Sequence, residues 1–206
     1  MTVDVLRAAS ANDSAAAWRV SAPARRTRAV LEMDPVLDEI ERRAATGLGA
    51  ILNKALLEAL LTLPVDLPVP IQALDRRTIR TLTAAPAGCI DYTNDVVVRR
   101  AVSPIRVLRA GVCAARWSDG LSQAGQFASY CSRYAVLTSD AADLDHAVME
   151  ARYYGIGLAT MIDGPESLRW LIHPAPFRPT RETVASWHFA ESALDAMSHS
   201  VDLASE

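Results

Sequence analysis

The chain has 206 residues, 50% of them hydrophobic and 22% charged, with a formal net charge of -3. That apolar supply is enough for a real core, which excludes wholesale disorder, and no run reaches the roughly eighteen uncharged apolar residues of a spanning helix. Three cysteines, Cys89, Cys113 and Cys131, have no CxxC spacing, which excludes a disulfide framework and a zinc ribbon and leaves reduced cytoplasmic thiols as the default.

Residues 1–33 are rich in Ala, Ser and Arg without a sustained period, and are expected to form a flexible arm that docks through Trp18. The run Arg25, Arg26 and Arg28 gives that arm the look of a transit peptide, but no cleavage signal follows. Asp34 and Pro35 read as an N-cap and first helical position. Val36, Leu37, Ile40, Ala44, Leu48, Ile51, Leu52, Leu56, Leu60 and Leu63 recur at helical spacing, predicting one long amphipathic helix, bent at Gly47 and Gly49 and stopped by Pro64. From Val69 the period becomes two, predicting strands at 69–74, 78–83, 95–102 and 105–115. A helix from Ser118 or Asp119 to about Arg133 precedes a short strand at 134–138. Asp140 caps a helix ending before Gly155, and a strand at 156–162 turns through Asp163-Gly164-Pro165 to pair with 168–172. A last helix runs from Thr180 to about Ser198, with Val184, Trp187, Leu194 and Met197 on one face.

The predicted fold is therefore mixed α/β, a central mixed sheet flanked by helices. An arm (1–33) precedes the domain (34–179), and a C-terminal helix (180–206) packs on it.

Charge is unevenly spread. Residues 1–66 carry 8 bases against 9 acids, residues 67–139 carry 9 against 4, and residues 140–206 carry 4 against 11. A basic middle and acidic tail fit a polyanion-binding face, two surfaces pairing between copies, or an uneven solvated surface. Lys54 is the only lysine beside 20 arginines, which with the abundant alanine looks like GC-rich coding in a bacterium rather than a functional choice.

Residues 95–162 carry a resemblance. Asp95-Val96-Val97-Val98 is similar to the first core strand of PD-(D/E)xK nuclease-like, restriction-endonuclease-like proteins. Trp117-Ser118-Asp119-Gly120-Leu121-Ser122-Gln123-Ala124 resembles the start of their helix, Tyr134-Ala135-Val136-Leu137 their next strand, and Tyr154-Gly155-Ile156-Gly157-Leu158 their last. The resemblance covers about a third of the chain and implies a restriction-endonuclease-like core. It places the family's Glu and Lys near positions 111 and 113, where this chain has Gly111 and Cys113, and residues 104–118 contain no carboxylate or lysine. Such nucleases hold a hard divalent cation on carboxylates, which glycine and a soft thiol do not replace. What the resemblance leaves of a catalytic site is Asp95, Gln123 on the helix, and Glu58 as a helical acid that approaches Asp95 in some relatives. It also turns Arg76, Arg77, Arg99, Arg100, Arg116 and Trp117 toward nucleic acid, with Arg80, Arg106 and Arg109 nearby, since Arg suits bidentate phosphate contact. The other reading is a solvated face of a half-buried sheet.

Other constellations are weaker. Cys113 or Cys131 with a histidine lacks a nucleophile's local sequence, so buried structural thiols are the simpler reading. His146 and Glu150, with Asp143 near, offer two ligands on one helix face, fewer than zinc needs. Asp91 is as easily a turn residue as an acidic ligand, and Gly155 with Gly157 is no nucleotide loop because the glycines lead from helix into strand.

Three functions follow as expectations. The first is a non-catalytic pseudo-nuclease domain that binds DNA, or recruits it for a partner, without a cofactor. The second is a structural or oligomerising protein meeting a protein partner or its own copies. The third is a metal-dependent nuclease, using magnesium, with relocated acidic residues. A membrane partner is not expected.

Overall fold

The structure, a computed structural model, describes residues 18–24, 27–93, 95–139, 143–161 and 168–202, with side chains described for 27–198 within those ranges. Arg25, Arg26, Asp140, Ile162 and the Asp163-Gly164-Pro165 turn lie outside the described residues. The fold is mixed α/β, in two compact units. One comprises residues up to Asp34 with Val107–Pro179; the other comprises Pro35–Arg106 with residues from Thr180 on.

The first unit is built on a six-stranded sheet of order β1-β2-β6-β7-β8-β9. Strands β1 (Trp18–Ala24) and β2 (Thr27–Pro35) form an antiparallel hairpin, so residues 18–35 are not the expected arm. Ala29, Val30, Leu31, Glu32 and Met33 are buried in succession. A strand covered on both faces shows no alternation, which is why a period-two search passes over it.

Strand β6 (Ile105–Ala114) leads through α4 (Trp117–Gly125) to β7 (Ser132–Leu137), and through α5 (Leu144–Tyr154) to β8 (Gly157–Met161). β6, β7 and β8 run parallel; β9 (Leu168–Ile172) returns antiparallel to β8, as its turn signal predicts. Helix α4 is shorter than predicted and ends at Gly125. Helix α5 is capped by the Asp143 carboxylate, which accepts from the His146 N–H, and it stops at Gly155 with φ 64°.

The second unit holds α1 (Leu37–Thr46), α2 (Lys54–Leu61), β3 (Pro68–Pro70), α3 (Arg76–Thr83), β4 (Ile90–Thr93), β5 (Val96–Arg99) and α6 (Val184–Asp202). The predicted long helix is two. Gly47, at φ 68°, takes the left-handed conformation that ends α1, and the Leu48 N–H closes back on the Arg43 carbonyl. Asn53 then caps α2 by accepting from the Ala55 and Leu56 N–H groups. Asp34 and Pro35 end β2 and do not start a helix.

Two predicted strands are also corrected. Residues 78–83 lie in α3 because the Asp75 carboxylate accepts from the Arg77 and Thr78 N–H groups, a cap that outweighs the strand preference of threonine. Residues 69–74 divide between β3 and a 3-10 turn, Ile71–Ala73. Of the predicted strand 95–102 only β5 remains, in a three-stranded antiparallel sheet of order β3-β5-β4. Its core joins Leu57, Leu60, Leu63, Leu82, Val97 and Trp187.

A buried ionic network organises this unit. Glu191 on α6 is fully buried and receives both terminal nitrogens of Arg43, at 2.8 and 2.9 Å. It also accepts from the Ile51 N–H and the Trp187 indole N–H. Arg43 donates in addition to Glu39 and to the Gly49 and Val102 carbonyls. Burial by itself pushes the Glu39 carboxyl up, but the Arg42 and Arg43 guanidiniums outweigh it and hold the group below the ordinary glutamate value.

Glu191→Ala leaves buried Arg43 with Glu39, shared with Arg42, as its one carboxylate and strands two N–H donors, so it should cost about 3–5 kcal/mol in urea unfolding, as broken buried pairs do. Because the folded pKa of Glu39 is depressed, its contribution is complete above the unfolded-chain value and is lost as pH falls through the lower folded value. Glu39→Gln should therefore flatten the acid limb of the stability curve, measured as the urea midpoint between about pH 2 and pH 5.

Candidate nucleic-acid interface

Successive residues of an α-helix are turned by about 100°, so Arg76, Arg80 and Arg77 of α3 fall within an arc of about 100°. As a strand, the same segment would send Arg77 to the face opposite Arg76 and Arg80. Ile79 and Leu82 occupy another side of the helix, and Leu82 is 1% exposed. The amphipathic pattern therefore docks α3 by Leu82 and leaves three arginines in solvent. All three are exposed, and none has an ion-pair partner among the described residues. The helix itself contains no acid, and the carboxylate at its cap, Asp75, is held on backbone N–H groups and the Thr78 hydroxyl. Thr81 and Thr83 return their hydroxyls to the helix carbonyls of Arg77 and Ile79. Arg76 and Arg80 flank a shallow open depression floored by Ile79 and Ala84. The β4–β5 hairpin stands beside the end of α3, where the Tyr92 hydroxyl lies 3.4 Å from that of Thr83. Tyr92 is 45% exposed, and a strand prediction that began at Asp95 missed it together with β4.

The other arginines that the resemblance turned toward nucleic acid are engaged. Arg99 is buried, not outward: it donates to the carbonyls of Ala101, Leu60 and Leu63 and lies 4.6 Å from the Trp187 ring centre. Arg100 is held at 2.7 Å by both Asp66 and Asp91. In the first unit, exposed Arg116 pairs with Asp119, while Trp117 is buried and donates its indole N–H to Glu150. Of the residues the resemblance turned toward nucleic acid, Arg76 and Arg77 thus remain as open cations, joined by Arg80.

The residues that the resemblance assigned to a catalytic site are not brought together by one sheet. Asp95, at φ 70°, is an exposed turn residue of the β4–β5 hairpin in the second unit. Gly111 and Cys113 are on β6, in the first. Gln123 on α4 accepts a hydrogen bond from the Thr27 hydroxyl of β2, and Glu58 is exposed on α2. The strand neighbouring β6 is β2, whose buried Glu32 approaches Tyr134 Oη at 3.3 Å and Arg109 at 3.9 Å. Gly111 is glycine for a packing reason: Tyr134, its register partner on β7, lays its ring over the position, and any Cβ there would collide with that ring.

Burial pushes the Cys89 and Cys113 thiols up to about 11 and that of Cys131 up to about 12, which makes all three poor nucleophiles at neutral pH. His146 lies 3.6 Å from Glu150, whose same oxygen already accepts from Trp117. Among the described residues no group of three His, Cys, Asp or Glu is placed to hold a metal ion.

Gly111→Ala should destabilise the protein by about 1–3 kcal/mol, the usual cost of overpacking. Adding Tyr134→Ala should recover part of that loss in the double variant relative to Tyr134→Ala alone, which denaturant titration of the four proteins measures. Comparison of the chain with protein-family models, with curated proteins and with solved structures finds no match, so its function is read from its own residues.

Proposed function

We propose that this chain is a non-catalytic DNA-binding protein, with the first unit a nuclease-like core and α3 of the second unit the DNA contact. The observation that carries the reading is the set of three exposed arginines, Arg76, Arg77 and Arg80, with no partner among the described residues on a helix without acids. An α-helix is about 10–12 Å across and the major groove of B-DNA about 12 Å wide, so a helix with one cationic side fits there with its arginines toward phosphates. Arg is suited to this work because its planar fork reaches two phosphate oxygens at once. Exposed Tyr92 on the neighbouring hairpin adds an amphipathic side chain at the flank of the same helix.

Support for a nuclease-like core comes from the β6–α4–β7–α5–β8 order and the Gly157-Leu158 start of β8. Support for a non-catalytic role comes from Gly111, where the Tyr134 ring fills the place of a ligand, and from Asp95, which sits in the exposed β4–β5 turn of another sheet. A second reading, assembly with a protein partner, has its own observation: Met149 and Tyr153 on α5 are 63% and 82% exposed, four residues apart on one helix side.

Fluorescence polarisation with a labelled duplex at several salt concentrations tests the DNA reading. Wild type should bind with affinity that falls steeply with salt, because bound arginines release counterions from the phosphates. The triple change of Arg76, Arg77 and Arg80 to Gln should weaken binding to all sequences and reduce the salt slope by about two to three units. Arg100→Gln, which touches only an ion-paired residue, should leave the slope unchanged. No polarisation change at low salt would overturn the DNA reading. Supercoiled DNA incubated with magnesium or manganese should stay intact; cleavage abolished by Asp95→Ala would restore a nuclease.

A further inference from the structure

The carboxyl ends of β7 and β8 enclose a cavity that has no part in the DNA reading. It measures about 550 Å³ and is lined by Leu137, Thr138, Ser139, Leu144, Thr160, Met161 and Arg169, all in the first unit. Its geometry follows from strand register. Leu137 of β7 is paired with Thr160 of β8, and Thr160 with Arg169 of β9, so these three side chains form a row on one face of the sheet. Leu144, the first residue of α5, closes the same space from the helix side.

The polar groups at this site are a guanidinium, which only donates, and hydroxyls, which donate as well as accept. Arg169 is exposed and has no ion-pair or hydrogen-bond partner among the described residues, and the Thr160 and Ser139 hydroxyls have none either. The Thr138 hydroxyl is turned to the Ala114 carbonyl at 3.4 Å. Among the described residues no carboxylate lines the cavity, so a guanidinium and two hydroxyls face space without a fixed acceptor among them. Donors in excess over acceptors select an anion. The carboxyl ends of parallel strands are where α/β sheets collect ligands, and a volume of this size accommodates a small molecule.

We infer that this cavity binds a small phosphate monoester, its phosphate on Arg169, Thr160 and Ser139 and its organic part against Leu137, Leu144 and Met161. A phosphate presents three terminal oxygens, enough for the two prongs of the guanidinium and the hydroxyls together; a carboxylate presents two. The apolar side chains give the organic group a contact that inorganic phosphate lacks.

Isothermal titration of the full chain with phenyl phosphate, inorganic phosphate and benzoate tests this. Phenyl phosphate should bind saturably and more tightly than inorganic phosphate, and benzoate at least about tenfold more weakly, the loss expected when a charge-assisted contact is missing. Arg169→Gln should weaken phenyl phosphate binding by about tenfold or more, and Thr160→Val by several-fold. Arg169 is exposed, so the variant is expected to fold; Arg169→Lys, which keeps charge without the fork, should fall between it and wild type. Absence of saturable binding to wild type would overturn the assignment, as would unchanged affinity in Arg169→Gln. Benzoate binding as tightly as phenyl phosphate would overturn the phosphate class. DNA binding by the Arg169 variants should match wild type, so loss of either activity is read separately.

Discussion

The pair formed by Arg43 and Glu191 is the interaction on which the second unit depends. Arg43 is on α1 and Glu191 on α6, 148 residues apart, and the two are 3% and 0% exposed. Two charges so deeply buried are tolerable only if each remaining donor and acceptor is matched. Here they are: Glu39, two carbonyls, the Ile51 N–H and the Trp187 indole complete the set. The same network pins the segment between α1 and α2, and Trp187 in turn supports the Arg99 guanidinium. Satisfying that many fixed geometries at once specifies how α6 docks, which an apolar contact by itself does not.

The first unit answers to a different constraint, close approach across parallel strands. Tyr134 is 1% exposed, and its ring crosses β6 where a side chain would otherwise stand. Gly157 is pressed on the other flank by Tyr134 and Pro174. Glycine at these points permits the packing, because a Cβ at either would collide with its neighbours.

Arginine serves three purposes in this chain, separated by surroundings. Arg43 and Arg99 are structural cations inside the second unit. Arg42, Arg100 and Arg116 are tied to neighbouring carboxylates. Arg76, Arg77, Arg80 and Arg169 are left in solvent without partners among the described residues. Of these three groups the last has binding capacity to offer, because a guanidinium already satisfied by carbonyls or carboxylates must lose those bonds before it takes a phosphate.

The sequence by itself determined the mixed α/β class, the succession from β6 to β9, the cap at Gly155 and the burial of Trp187. These follow from local signals: a period of two, glycine after a helical run, a turn between apolar segments. It also showed that β6 lacks acids. Residues 78–83 misled a local reading, because three β-branched threonines favour a strand there while the Asp75 cap and the Ile79–Leu82 spacing of three make a helix. Nor could local pattern find β2, which is buried on both faces and therefore has no period. Tertiary structure alone decided that Arg99 turns inward, that Gly111 lies in the large sheet while Asp95 sits in a turn of the small one, and that Thr160 and Arg169 stand in one row. Each of these depends on which distant segment lies alongside, and residue type at a position carries no record of its neighbour across the sheet.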